Sequence, residues 1–285
     1  MFLKCMHALR IVGALALVAS LPTAALAQTP TSDTSTPTAV VVTAPAPKAV
    51  QVPVPYRWSG VYFGGFIGDA WSDTNVTTST VFSPAGYFTQ GMVNVINDEG
   101  AQSMKTNEII YGGEVGFDFQ VARLVFGGSY DFSVMTMNDF ENSGTNYPSS
   151  TSTFAITQTM ETNWLMTARA RVGWLASRRL LIFGTAGIAW TDLKYNAQFA
   201  DNFNGAKESA EFDELVNGWV YGGGAEYRLS RRMSVKGEYL YSAFDDVTVT
   251  STNLTTNSGS SPTNVFTHTS SFSLNVFKGS VKVRF

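Results

Sequence analysis

The chain has 285 residues, a formal net charge of −3 and 14% charged residues, against about 25% in a typical soluble domain. Two histidines, one cysteine and no broadly basic stretch exclude a His- or Cys-rich metal centre and a nucleic-acid partner, and no cofactor is expected. Past the N-terminus no run reaches the roughly 18 apolar residues a transmembrane helix needs, so a weakly charged chain with 13% aromatics points to a membrane β-barrel.

Taken in chain order, Lys4 and Arg10 precede an apolar stretch over 11–21. Ala25-Leu26-Ala27 then offers the small residues that signal peptidase accepts, so 1–27 reads as a signal peptide. Its removal takes away Lys4, Arg10 and no acid, moving the charge from −3 to −5, and it also removes Cys5. The mature chain then has no thiol for a disulfide. Residues 28–56 are rich in Thr, Pro, Ala and Val, with charges only at Asp33 and Lys48, and read as a disordered periplasmic linker.

Residues 57–285 alternate apolar and polar positions, which is strand periodicity. Eight strands are expected. The first spans about 58–71; it is Gly-rich and shows no readable parity. In the second, Ile109, Tyr111, Val115, Phe117 and Phe119 share one face, and Glu108, Glu114 and Asp118 the other. In a bilayer the apolar face must be outside. The third, 124–135, puts Phe126, Tyr130 and Phe132 outward and Ser129, Asp131 and Ser133 inward.

The fourth strand points Trp164, Met166, Ala168, Ala170, Val172 and Trp174 outward, with Asn163, Thr167, Arg169, Arg171 and Gly173 inward. Trp164 and Trp174 are ten residues apart, which at a rise of about 3.3 Å and a tilt near 40° is about 25 Å along the membrane normal. That is the spacing of two aromatic girdles. The fifth strand, 180–191, adds Trp190 outward, and the sixth, 218–229, adds Trp219, Tyr221, Ala225 and Tyr227 outward with Glu226 and Arg228 inward. The seventh, 233–244, faces Val235, Tyr239 and Tyr241 outward and Lys236 and Glu238 inward. The last ends on Phe277, Val281, Val283 and Phe285 outward, with Lys278, Lys282 and Arg284 inward.

Residues 120–123, 175–179 and 230–232 read as short periplasmic turns. Residues 72–106, 136–160, 192–217 and 245–267 read as four long extracellular loops rich in Ser, Thr and Asn. The expected fold is therefore an all-β, eight-stranded antiparallel transmembrane barrel.

Trp58-Ser59-Gly60-Val61-Tyr62-Phe63-Gly64, Gly112-Gly113-Glu114-Val115-Gly116-Phe117, the Thr167-x-Arg169-x-Arg171-x-Gly173 core, Gly184 to Trp190, Glu238-Tyr239-Leu240-Tyr241 and Lys278 to Phe285 occur in order. Together they resemble the small outer-membrane β-barrels of alphaproteobacteria, the opacity-type surface proteins of the OmpA-like transmembrane-barrel superfamily. The resemblance implies a surface protein, sometimes porin-like, sometimes adhesive or haem-binding. It also implies that Phe285 closes a signal read by the barrel-assembly machinery. Outer-membrane lipids and lipopolysaccharide are the other partners it implies, besides an unidentified ligand at the loops.

Inward parity collects Glu108, Glu114, Asp118, Asp131, Glu226 and Glu238 against Arg169, Arg171, Arg228, Lys236, Lys278, Lys282 and Arg284. Such a narrow interior favours a salt-bridged plug over a gated ion path. His268 is the one histidine of the mature chain, and with Ser270 it resembles the His-x-Ser pair of outer-membrane lipid-modifying esterases. With no acid evident to orient it, it reads as a polar residue at a loop edge. The four loop ranges carry thirteen acids and three bases, read as hydration beside lipopolysaccharide in preference to a site for cations or a basic partner. The sequence thus points to a non-enzymatic barrel that displays surface loops and supports envelope integrity. A small-solute porin and an adhesin or haem-binding protein are the alternatives.

Overall fold

A computed structural model describes residues 57–285; the signal peptide and linker expected over 1–27 and 28–56 lie outside the described residues. β1 (Gly60–Thr80) leads to helix α1 (Gln90–Glu99), followed by β2 (Ala101–Met104), β3 (Asn107–Val121), β4 (Leu124–Ser143), β5 (Phe154–Leu175), β6 (Leu180–Asp201) and β7 (Lys207–Arg228). β8 (Met233–Phe244), β9 (Val247–Ser251), β10 (Thr255–Thr256), β11 (Gly259–Ser260) and β12 (Phe266–Arg284) complete the order. The pairings run β1–β3–β4–β5–β6–β7–β8–β12 and return to β1, all antiparallel, so the sheet forms a ring.

Register fixes the shape of that ring. From Asp73 the ladder crosses to Ser273, Ala243, Trp219 and Ile188. It continues through Ala168, Tyr130 and Val115 and regains β1 at Phe63, ten residues from where it left. This offset corresponds to strands tilted by about 40° and an interior only wide enough for side chains.

The sheet has twelve strands where the sequence reading has eight. The additional β2, β9, β10 and β11 lie in stretches read as loops, and β1, β4, β5, β6 and β7 each run well past their expected ends. The reason is an inversion of amphipathy along one strand. On β6, Ile182 and Ile188 are exposed and apolar on the outside. Beyond Trp190 the same parity is kept, but Leu193, Tyr195, Ala197 and Phe199 are buried inside while Lys194 and Gln198 are exposed outside. A search for apolar outer faces stops at Trp190, yet the strand continues to Asp201. The sheet therefore has an apolar-jacketed half near the short turns and a polar-jacketed half beyond the tryptophans.

On β5 the parity itself changes. The register with β6 shifts between Glu161 and Leu165, and Asp192 holds the irregularity: its Oδ1 accepts from the Asn163 N–H at 2.9 Å and its Oδ2 from Asn163 Nδ2 at 3.1 Å. Asn163, read as inward, is in consequence exposed. β1 also acquires its parity: Tyr62, Phe66 and Ala70 are buried, while Val61, Phe63, Ile67 and Trp71 are exposed. Both faces are apolar, which is why alternation gives no answer there.

Ring closure depends on the C-terminal strand. Nineteen residue pairs join β1 to β12, the Phe285 N–H donates to the Val61 carbonyl at 2.9 Å, and the Phe285 ring meets Phe63 edge-on at 6.2 Å. Deleting Phe285 is expected to lower the fraction of protein showing the compact, heat-modifiable band on unboiled detergent gels, whereas deleting Ser258, at the exposed tip between β10 and β11, leaves it unchanged. Equal loss from both deletions would show that the β1–β12 seam is not the sensitive one.

Candidate functional site: the charged interior

Inward side chains near the turns build two linked ionic layers. In the lower one Arg171, on β5, reaches Asp118 of β3 at 2.6 Å and Glu226 of β7 at 2.8 Å. Arg284 joins the same two acids at 2.7 and 3.4 Å, and Ser234 Oγ donates to Glu226 at 2.7 Å. In the upper layer Arg169 contacts Asp131 at 3.1 Å and Glu238 at 2.8 Å, Lys236 contacts Glu114 at 2.7 Å and Glu238 at 2.8 Å, and Lys278 pairs with Asp131. Lys282 connects the layers, lying 3.1 Å from Glu226 and 3.8 Å from Glu114. All these side chains are buried.

Of the thirteen residues assigned to this network from parity, eleven meet in it. Glu108 does not: it shares inward parity, but as the second residue of β3 it is exposed and joins none of these pairs. Arg228 is buried one level lower, donating to the carbonyls of Arg231 and Arg57, both at 2.6 Å, with its guanidinium 4.8 Å from the Trp58 ring centre.

Six bases and five acids make up the linked layers, and aromatic faces absorb part of the excess positive charge. Lys282 lies 4.1 Å from the Tyr62 ring centre, Lys278 4.3 Å from Phe66, and Arg171 4.8 Å from Phe183. Three of these platforms, Trp58, Tyr62 and Phe66, precede or lie on β1 and were hidden by its unreadable parity. Gly64 sits between Tyr62 and Phe66 and Gly68 just beyond Phe66, opposite Lys282 and Lys278 respectively. A Cβ at Gly64 would stand 3.1 Å from Lys282 Cγ and 3.2 Å from Glu114 Cγ, so glycine here makes room for the lysine stem.

Above the charges, Leu165, Leu193, Val220, Leu240 and Leu274 belong to a packed apolar layer, and below them lie Val125, Leu175 and Leu181. A second polar layer follows in the polar-jacketed half. His268 is wholly buried, with Nδ1 2.9 Å from Thr78 Oγ1 and Nε2 3.2 Å from Glu208 Oε1. This corrects its reading as a loop-edge residue, and it supplies the acid the sequence did not reveal. Ser270 instead directs its hydroxyl towards the Met160 sulfur at 3.8 Å, so His268 and Ser270 do not form a nucleophile and base. Asp139 and Glu208, counted among loop acids, are likewise buried; burial raises the Asp139 carboxyl above its ordinary value, opposed by the Ser72 hydroxyl at 3.1 Å.

The far end is capped by α1, whose Thr89 side chain accepts the Met92 N–H, and by Phe88, Phe154, Phe199 and Phe266 in mutual ring contact. Tyr87 and Tyr147 both donate to Asp201 Oδ2, at 3.0 and 2.9 Å; burial first and the carboxylate second raise both phenols above their ordinary values. Among the described residues no group of three or more His, Cys, Asp or Glu is placed to hold a metal ion.

On the outside, Trp164, Trp174, Trp190 and Trp219 all point outward, and Trp71 on β1 joins them. Arg169→Ala would leave Asp131 and Glu238 short of a partner. It is expected to destabilise the protein by about 3–5 kcal/mol, read as a lower urea midpoint for loss of the compact band. An unchanged midpoint would show that the remaining lysines compensate.

The chain matches the family model described as the outer membrane protein beta-barrel domain over residues 13–285. It is 36% identical over 78 residues to a 31 kDa outer-membrane immunogenic protein of Brucella melitensis, a stretch covering 27% of this chain and 32% of that relative; the chain thus spans about a third of the length of the curated relatives it matches. Among solved structures, it is similar to Ail, the attachment invasion locus protein of Yersinia pestis, with 12% identity over 80% of this chain and 99% of that one and a TM-score of 0.32. The outer membrane protease OmpT of Escherichia coli gives 9% identity, coverage of 81% and 99%, and a TM-score of 0.36. The matched family model spans the whole described ring, and the chain belongs to the outer membrane protein beta-barrel family, resident in the bacterial outer membrane.

Proposed function

We propose that this chain is a non-enzymatic, eight-stranded transmembrane barrel that presents a stiff, capped barrel end at the cell surface and adds to envelope integrity. The observation that carries this reading is the filled interior. Apolar floor, ionic double layer, apolar layer, His268–Glu208 layer and aromatic cap follow one another along the barrel axis. Buried charges cross-linked over the lumen resist deformation and leave ions a path only through a network that would have to break.

Orientation follows from the connections. Short turns join β3 to β4, β5 to β6 and β7 to β8, as periplasmic turns do, so the polar-jacketed half and its cap face the exterior. Lipid acyl chains contact the band between the tryptophan levels, lipopolysaccharide meets the polar wall above it, and the barrel-assembly machinery reads the strand ending in Phe285. The Brucella relative is named an outer-membrane immunogenic protein, which supports surface presentation.

In planar bilayers the purified protein is expected to show no steady single-barrel conductance; an ohmic pore at that level would overturn the plug in favour of a small-solute porin. Since Cys5 is the chain's one cysteine and lies in the leader, introduced thiols report topology cleanly. Ser258→Cys should react with a membrane-impermeant maleimide on intact cells and Ser177→Cys only after permeabilisation. The reverse pattern would invert the topology.

A further inference from the structure

The polar-jacketed half of the wall is not hydrogen-bonded all the way round. β7 pairs with β6 along its length, from Lys207 to Tyr227. On its other side the ladder with β8 ends at Gly218 opposite Phe244, and the Asp245 N–H donates to the Asn217 carbonyl at 3.0 Å. The chain then departs: β9 pairs with β12 instead. The seam is drawn together again only at its far end, where Asn253 Nδ2 donates to the Ser209 carbonyl at 2.7 Å and Thr255 stands opposite Lys207. Between these points, among the described residues, β7 is laddered on one side only.

Three features of that gap point to an occupant. Ser209 and Asn217 both direct backbone groups into the seam, so by strand alternation Glu211, Asp213 and Leu215 do the same. A cavity of about 250 Å³ opens beside them, walled by Phe212, Leu215, Val216 and Val247, and Leu215 is 54% exposed although it lies outside the apolar band. Its mouth is acidic. Asp245 and Asp246 line it, Glu211, Asp213 and Glu214 stand on the adjoining stretch of β7, and Lys194 lies on Asp213 at 3.0 Å as the neighbouring base. Glu214 shares the inward parity of buried Ala210 and Val216 yet is exposed, so water reaches into the seam.

We propose that this seam is a docking site for an extended, lysine- or arginine-bearing segment of another protein, laid along the β7 edge between Ser209 and Asn217. Main-chain groups of Glu211, Asp213 and Leu215 would supply backbone hydrogen bonds, the cavity would take one apolar side chain, and the carboxylates would select basic neighbours, the division of labour of strand-edge recognition. A second copy of this chain is disfavoured, because pairing two such edges sets like charges opposite one another. The inference rests on the surface-display reading, but its test in detergent does not depend on topology.

The probe is a fluorescent peptide of alternating valine and lysine, titrated against the mature protein in neutral detergent, with a valine–glutamate peptide as control. Saturable binding of the lysine peptide alone is expected, with deuterium-exchange protection confined to amides between Ser209 and Asn217. Glu211→Lys with Asp213→Lys should weaken binding by about tenfold or more, whereas Asp98→Lys, an acid outside the seam, should leave it within about twofold. Both variants must keep the heat-modifiable band; if the charge reversals cost the fold, Leu215→Ser, which keeps every charge, serves in their place with the same expected loss. Equal weakening by Asp98→Lys, protection elsewhere, or sedimentation showing dimers through the seam would overturn the proposal. Whole-cell thiol labelling at Ser258→Cys reports the display reading separately.

Discussion

Closure of the sheet through β1 and β12 is the constraint on which the other features rest. In hydrocarbon each unpaired backbone N–H or C=O costs several kcal/mol, so the membrane-facing half of the sheet tolerates no edge. Closing this ring with a ten-residue offset fixes its tilt and leaves an interior filled by side chains alone. Every inward charge is then close to every other, and pairing across the lumen is the way each one offsets its lost hydration.

That necessity accounts for the composition of the interior. The bases come from β5, β8 and β12 and the acids from β3, β4, β7 and β8, so the ion pairs tie together walls that share no backbone ladder. β1 contributes no charge to the network but provides aromatic faces and two glycines that admit lysine stems. A network satisfied from several strands at once makes the interior rigid as well as closed.

Beyond the tryptophans the physics reverses. Water now surrounds the wall, so the outer face turns polar and the inner face apolar, and edges become tolerable because water satisfies them. The ring uses that freedom. β9 leaves β7, a seam opens, and acidic residues line it, as befits an edge that must not pair with its own kind. One strand such as β6 or β7 therefore carries two opposite patterns in sequence, one for each solvent.

The sequence by itself determined the antiparallel barrel class and the outward parity of β3 to β8 and β12 near the short turns, and it put on inward parity the eleven charged residues that meet in the ionic layers. All of these follow from alternation in a single solvent, a local property. What alternation could not decide, tertiary structure did. The parity of β1 needed its partners, because both its faces are apolar. The strand extensions were unreadable because the favoured outer chemistry inverts at the water boundary. Asn163 was misplaced by a bulge that Asp192 holds from the neighbouring strand, and Glu108 by its place at a strand's exposed beginning. His268 and Glu208 are sixty residues apart and meet only because β12 and β7 belong to one ring, so their burial is a consequence of closure and of nothing nearby in the chain.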